Sequence, residues 1–355
     1  MDGFEGKTAG RAALTYPHGE TVPDVGDTIE VAPGVHWVRM PLPFSLQWIN
    51  LWLIDDGPKG WTIVDTGIPG SDTKEAWRKI FAEKLGGRPV WRVIVTHMHP
   101  DHIGCAGWLS RKWPDSEFWI SRLEYITCRM LVADTGREAP KAGTDFYHRA
   151  GWSGAQIENY KSRFGGFGRG VSQMPDAYHR LEDGMTFEMA GHDWQVVTGN
   201  GHSPEHSCLH CSELNVLISG DQLLPRISSN VSVFPTEPAA DPLKDWLDSC
   251  SKLKAAVAAD VLVLPAHNEP FTGAHERLDH LIRGHEVALK RLLQRLGQEP
   301  RRVVDIFPAI FGRKIGDDVL SMATGEAIAH LNSLIARGQA AYALDNDGVA
   351  WYAAA

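Results

Sequence analysis

An apolar run that stops on a cluster of histidines sets the tightest bound on this chain. In VIVTHMHPDHIG (Val93–Gly104) a β-type run ends at Thr96, and His97, His99, Asp101 and His102 follow at once, ahead of a helical pattern at Ile103–Leu109. In an extended loop, residues i and i+2 point the same way, so His97 and His99 can grip one ion together. Asp101 and His102 fall at the start of the helix, displaced toward a second position. Imidazole and carboxylate are donors that divalent ions such as zinc accept at catalytic centres. Three histidines within six residues could, taken alone, be a surface cluster.

Three further segments argue against that. GNGHSPEHSCLH sets His202 in a turn after a strand at Trp194–Thr198, VLISGD ends a strand on Asp221, and VLVLPAH ends another on His267. Each is a ligand-type residue at the C-terminal end of an apolar strand, where open α/β sheets place their sites. Around these segments, β-type runs read at Thr28–Met40, Leu46–Ile54, Trp61–Val64, Val90–Thr96, Met185–Met189, Ser207–Cys211, Val216–Ser219 and Val261–Leu264. Helical periodicity reads at Ser71–Leu85, Leu123–Ala133, Ala155–Phe164, Pro242–Ala258 and His275–Leu296. Strands and helices alternate in both halves, so an α/β fold of sheets covered by helices is expected.

The 355 residues suggest roughly two domains at about 150 residues each. We divide them into an N-terminal arm (1–22), a catalytic domain (23–297) with a helical insertion at about 121–180, and a C-terminal module (298–355). In that module Arg302–Phe311 and Asp317–Arg337 read as helices, and Ala340–Leu344 with Val349–Tyr352 as a hairpin, the pattern of a winged helix. Lys plus Arg at 35 against Asp plus Glu at 44 gives a net charge of -9, a poor balance for binding a polyanion, and the module itself is acid-rich even counting Arg313 and Lys314. No nucleic-acid partner is therefore expected. Five scattered cysteines suit reduced thiols, and MDGFEGKTAG has no basic-then-apolar leader pattern. Apolar stretches such as Val257–Leu264 fall far short of the roughly 20 residues a membrane span needs. A cytoplasmic protein with a small-molecule substrate and no membrane partner is expected, with a homo-oligomer left open.

Taken together, the His-x-His-x-Asp-His loop and the later His202, Asp221 and His267 make residues 28 to about 270 resemble the metallo-β-lactamase superfamily. The resemblance implies an αββα sandwich with the metals at one edge. It assigns His97, His99 and His202 to a first metal, Asp101, His102 and His267 to a second, and Asp221 as the bridge between them. Asp65, in WTIVDTG, matches the family's first motif and is implied to orient the loop and a ligand. The cofactors would be two divalent ions, zinc by default, with iron and manganese accepting the same donors. The implied reaction is attack by a hydroxide shared between the ions on the carbonyl of a thioester, activated ester or lactone, with Asp101 orienting the water and Asp221 holding both ions. The chain is most similar to the glyoxalase II-like branch, with a tail similar to lactamase-B-like 2 proteins. It lacks the basic C-terminal segment of classical glyoxalase II, and Gln222-Leu223-Leu224-Pro225 follows Asp221 where quorum-signal lactonases carry a Tyr. A nuclease of the same fold, an iron persulfide dioxygenase and a winged-helix DNA-binding regulator are the alternatives.

Other residues are weaker signals. Cys208 and Cys211, at i and i+3 of a strand, face opposite sides and cannot share an ion. His206 is expected to support the His202 loop by hydrogen bonding. His285 reads as a core histidine, and His275 and His280 as solvated positions of the same helix. FGGFGRG (Phe164–Gly170) has no preceding strand and no following Lys-Ser or Lys-Thr, so it reads as a hinge rather than a phosphate loop. Phe44 and Trp48 are candidates for a substrate pocket. The 13 Trp and the insertion aromatics Tyr147, Trp152, Tyr160, Phe164 and Phe167 suggest an aromatic lid over the metals.

Overall fold

A computed structural model describes residues 14–312 and 314–355; residues 1–13 of the expected arm, and Arg313, lie outside the described residues. Strands β1 (Thr28–Ala32), β2 (Val35–Pro41), β3 (Trp48–Asp55), β4 (Trp61–Val64), β5 (Val90–Ile94), β6 (Glu117–Ser121) and β7 (His179–Leu181) lie in that order in a seven-stranded sheet. Pairing is antiparallel as far as β4 and parallel beyond it. The single run expected at Thr28–Met40 is thus two strands, because Pro33-Gly34 turns the chain back on itself. A second sheet is built from β8 (Thr186–Met189), β9 (His192–Gly199), β10 (His206–Cys211), β11 (Val216–Gly220) and β12 (Leu262–Pro265), in the order β12-β11-β10-β9-β8. Only β11 and β12 run parallel there.

Alternation along the strands fixes how these layers stack. On β3, Trp52 and Ile54 meet Trp194 and Val196 of β9 and Ile218 of β11 between the sheets, while Ile49, Leu51 and Leu53 turn outward onto Trp77 and Ile80 of the helix Ser71–Glu83. On the second sheet Val197, Cys208, Leu217 and Val263 face outward onto Trp246 and Leu253 of the helix Pro242–Ala256 and Leu278 of the helix Ala274–Leu296. The result is helix, sheet, sheet, helix, the expected αββα sandwich. Cys208 and Cys211 do fall on opposite faces, and all five thiols are free and buried.

Between β6 and β7 the insertion holds helices Arg122–Ala133, Lys141–Arg149 and Gly154–Arg163; the middle one adds to the helices expected from the sequence. The insertion aromatics Tyr147, Trp152 and Tyr160 are taken up in a core rather than left free as a lid. Tyr147 and Trp152 stack with ring centroids 4.1 Å apart, and the Trp152 Nε1–H donates to Thr324 Oγ1 at 2.9 Å, inside a core shared with the C-terminal segment. FGGFGRG is no open hinge either: Phe167 packs against the core beside the first sheet, and a Cβ at Gly168 would approach the Val132 backbone to 3.2 Å. In the C-terminal segment, the expected helix Arg302–Phe311 is a 3-10 turn at Val303–Asp305 and a single turn at Phe307–Ile310. Pro308 forces that restart, since proline fits only a first helical turn. The helix Leu320–Ala336 and the hairpin of β13 (Ala340–Leu344) and β14 (Ala350–Ala354) complete the chain. Leu331, Leu334 and Tyr352 share one core with Leu278 and Trp246. Among the described residues no helix is long and apolar enough to cross a membrane.

Candidate metal centre

Five strand ends converge at one edge of the sandwich. Asp65 follows β4, the His97–His102 loop follows β5, His202 follows β9, Asp221 follows β11 and His267 follows β12. Two of these approaches demand glycine. A Cβ at Gly220 (φ +50°) would lie 2.5 Å from His206 Nε2, and one at Gly201 (φ +104°) would lie 2.5 Å from the Pro242 carbonyl oxygen, so the residues just before Asp221 and His202 have no room for a side chain.

The ligand-type atoms sort into two groups, each with its atoms within 4.8 Å of one another: His97, His99, His202 and Asp221 in one, Asp101, His102 and His267 in the other. The family resemblance implied the same sorting of these histidines and Asp101, with Asp221 as a bridge rather than a member of one group. Asp221 also reaches the second group, with Oδ1 3.5 Å from both His102 Nε2 and His267 Nε2, while its Oδ2 lies 3.3 Å from His202 Nε2.

What fixes the imidazoles is the hydrogen bonding of their far nitrogens. His102 Nδ1 lies 2.7 Å from Asp65 Oδ2, His202 Nδ1 lies 2.8 Å from the Asn230 carbonyl, and His267 Nδ1 lies 2.9 Å from the Trp48 carbonyl. Each acceptor requires Nδ1 to carry the proton, so each Nε2 presents its lone pair inward. Asp65 is itself locked, accepting the Thr96 amide at 2.8 Å and the Thr96 hydroxyl at 2.8 Å. Its backbone sits at φ 61°, a strained conformation that marks a position held by its surroundings. His206, expected to support the His202 loop, instead accepts the Asp221 amide on its Nε2 at 3.1 Å, and it takes no place in either group.

The buried atoms left over test whether a cation fits. His102 Nε2, His202 Nε2 and Asp221 Oδ1 are buried and have no hydrogen-bond partner, and His97 Nε2 faces His99 Nδ1 at 2.8 Å. Buried polar atoms without partners are costly, and two imidazole nitrogens so close need a shared proton or a shared cation. A divalent ion in each group would satisfy them all, so the residues fit. The charge state agrees. Burial, reinforced by the neighbouring imidazoles, drives His97 well below its ordinary value and His99 down to about 3, leaving neutral donors. Burial opposes ionisation of Asp101, yet His102 and His267 beside it hold its carboxyl at about 2. Burial likewise opposes a charge on His102, but Asp65, Asp221 and Asp101 outweigh it and raise its pKa. Three carboxylates thus demand positive charge at this spot, which a bound cation would supply in place of the proton.

Of the two pocket candidates, Phe44 is 57% exposed in the β2–β3 loop. Trp48 is the first residue of β3, half-buried under the Arg39 guanidinium at 4.5 Å, and contributes its carbonyl to His267. His285 is buried in the core against His330, as expected, whereas His275 is half-buried with Nε2 at 2.9 Å from the Val257 carbonyl rather than solvated. Sequence reading missed two supports. Asn50, buried on β3, accepts the Trp37 indole N–H at 2.8 Å and donates to the carbonyls of Pro265 and Asn268, clamping the strand end that bears His267. Glu124 joins two ligand loops and is taken up below. An Asn in an apolar strand and a Glu in a helix's first turn are the only local signals, and neither points to a site.

The sandwich and these two groups define a class of proteins, and the chain belongs to it: residues 49–267 match the Metallo-beta-lactamase superfamily, and residues 289–355 match its Metallo-beta-lactamase-like C-terminal domain. Among solved structures, a beta-lactamase domain protein from Burkholderia ambifaria is 40% identical with a TM-score of 0.88, over 96% of this chain and 98% of that one. A metallo-beta-lactamase family protein from Thermus thermophilus is 25% identical with a TM-score of 0.75, over 92% of this chain and all of that one (100%). A linear primary-alkylsulfatase from a Pseudomonas species is 26% identical over 64% of this chain, which spans less than half (43%) of that protein. An atrochrysone carboxyl ACP thioesterase from Emericella nidulans is 24% identical over 93% of this chain and 88% of that protein. The chain has the metallo-β-lactamase fold, with His and Asp groups that could hold metal.

Proposed function

We propose that this protein is a dinuclear metal-dependent hydrolase of thioesters or other activated esters, lactones included. The observation that carries the reading is the pair of side-chain groups around Asp221 with unpartnered buried donors aimed inward. His97, His99 and His202 would hold one ion, Asp101, His102 and His267 the other, and Asp221 would serve both. Bound divalent cations, zinc by default, would supply Lewis acidity at a carbonyl oxygen and hydroxide at neutral pH. The chain's own part is orientation. Asp65, Asn230 and Trp48 fix three imidazoles, and Asp101, kept ionised, orients the attacking water and takes up its proton at the carboxylate.

Similarity to a carrier-protein thioesterase over nearly the whole of both chains supports the acyl-thioester class. The test is metal quantification on the purified protein together with hydrolysis of acyl-CoA, acyl-carrier-protein, acyl-glutathione, lactone and alkyl sulfate substrates. Two divalent ions per chain with thioester turnover is the expected result. One iron per chain with persulfide oxidation, or RNA cleavage abolished in His97→Ala, would replace the reading with one of its rivals.

A further inference from the structure

The two loops that bear the three imidazoles of the first group come from different sheets, His97 and His99 after β5 and His202 after β9. The Ser207 amide donates to the Thr96 carbonyl at 2.9 Å and ties the segments at one end, short of the imidazoles. Beside the imidazoles a buried side chain joins the loops: Glu124, in the first turn of the insertion helix Arg122–Ala133, is fully enclosed. Its Oε2 accepts the Met98 amide, which lies between His97 and His99, at 2.9 Å. Its Oε1 accepts the Ser203 hydroxyl at 2.6 Å and the Glu205 amide at 2.7 Å, in the loop that begins with His202. The grip is reciprocal, since the Glu205 carboxylate accepts the Leu123 amide at 2.9 Å and the Glu205 carbonyl accepts the Ser121 hydroxyl at 2.7 Å. The second group is supported elsewhere, by Asp65 and the Trp48 carbonyl.

We propose that Glu124 is the positioning residue of the first metal site, setting the span between the His97–His99 loop and the His202 loop so that three imidazoles meet on one ion. The inference rests on the dinuclear reading above. Its chemistry is particular: three donors face the side chain, and only an acceptor-only group satisfies all of them. A glutamine of the same shape would turn an N–H toward a donor and lose one side of the bridge. Because the other group has separate supports, the effect is confined to one of two ions.

The experiment is a titration of metal-stripped wild-type and Glu124→Gln proteins with zinc against a competing chelator, repeated with cobalt to follow each site's absorption. Wild type should take up two equivalents. Glu124→Gln, its fold checked by circular dichroism, should keep one at wild-type affinity and bind the other about 10- to 100-fold more weakly, with Glu124→Asp showing the same one-sided loss should the glutamine variant not fold. Two equivalents at wild-type affinity, or equal weakening of both, would overturn the proposal. A wild-type protein that never binds a second equivalent would overturn the dinuclear reading itself, and is told apart by needing no variant.

Discussion

The two ligand groups sit side by side but are held in different ways. The group of Asp101, His102 and His267 hangs from the sheets themselves: Asp65 at the end of β4 pins His102, and the first residue of β3 pins His267. The group of His97, His99 and His202 shares that support, since Thr96, held by Asp65, lies 3.2 Å from His97 Nδ1, but it also draws on added parts. Glu124 comes from the insertion, and the Asn230 that holds His202 is itself held by Glu326 of the C-terminal helix, which accepts the Asn230 Nδ2–H at 2.7 Å. Their charge differs too, with neutral imidazoles at His97 and His99 and a carboxylate-favoured positive charge at His102. The lesson is that the sandwich core supports both groups, whereas the insertion and the C-terminal helix add supports to the first alone.

The comparison breaks most completely at Asp221, which serves both groups. Asp221→Ala should lose both metals and lower kcat/KM by about a thousandfold, several kcal/mol of lost transition-state stabilisation; retained turnover with full metal content would refute the shared role. Asp65→Asn should divide the groups. Asparagine tolerates the positive φ, so the change isolates the carboxylate. Metal affinity at the His102 site should fall about 10- to 100-fold with the other ion retained, read by the same chelator competition.

A third prediction concerns Glu326. Burial, only partly offset by the Asn230 hydrogen bond, raises its carboxyl to about 8. The unfolded chain loses this proton near the ordinary carboxylate value and the folded chain keeps it longer, so this group lowers stability as pH climbs from about 4.5 to about 8. Glu326→Gln, which can still accept from Asn230, should flatten that slope and be more stable by on the order of a few kcal/mol at pH 9, measured by urea unfolding across the range. An unchanged slope would mean Glu326 is not held protonated. The smallest effect is expected at exposed Phe44: Phe44→Ala should alter stability by no more than about 0.5 kcal/mol, and a KM that rises for bulky acyl substrates alone would place this ring at the substrate entrance.

Legibility in the sequence followed the range of the interactions. His97, His99, Asp101 and His102 share one loop, and His202, Asp221 and His267 each close a strand, so strand periodicity and spacing exposed them. The layers were legible for the same reason, since alternation on β3 and the 3.6 period of Ala274–Leu296 are local patterns. Tyr147 and Trp152 misled because an aromatic residue has the same letter in a lid and in a core, and only their packing against Thr324 tells which. The helix Lys141–Arg149 escaped because it is short and its buried stripe, Gly143, Phe146, Tyr147 and Ala150, opens on a glycine, the weakest of helix formers after proline.

The sequence by itself marked the ligand-type residues and the strands that carry them, because side chains two residues apart in a loop, or just past a strand, have their direction set by the backbone. Only the tertiary structure decided how the donors are held. Glu124 meets Ser203 and Glu205 across 79 and 81 residues, Asn50 meets Pro265 across 215, and Asn230 meets Glu326 across 96. No local period encodes such pairings; they arise when burial takes distant polar groups out of water and leaves them to satisfy one another.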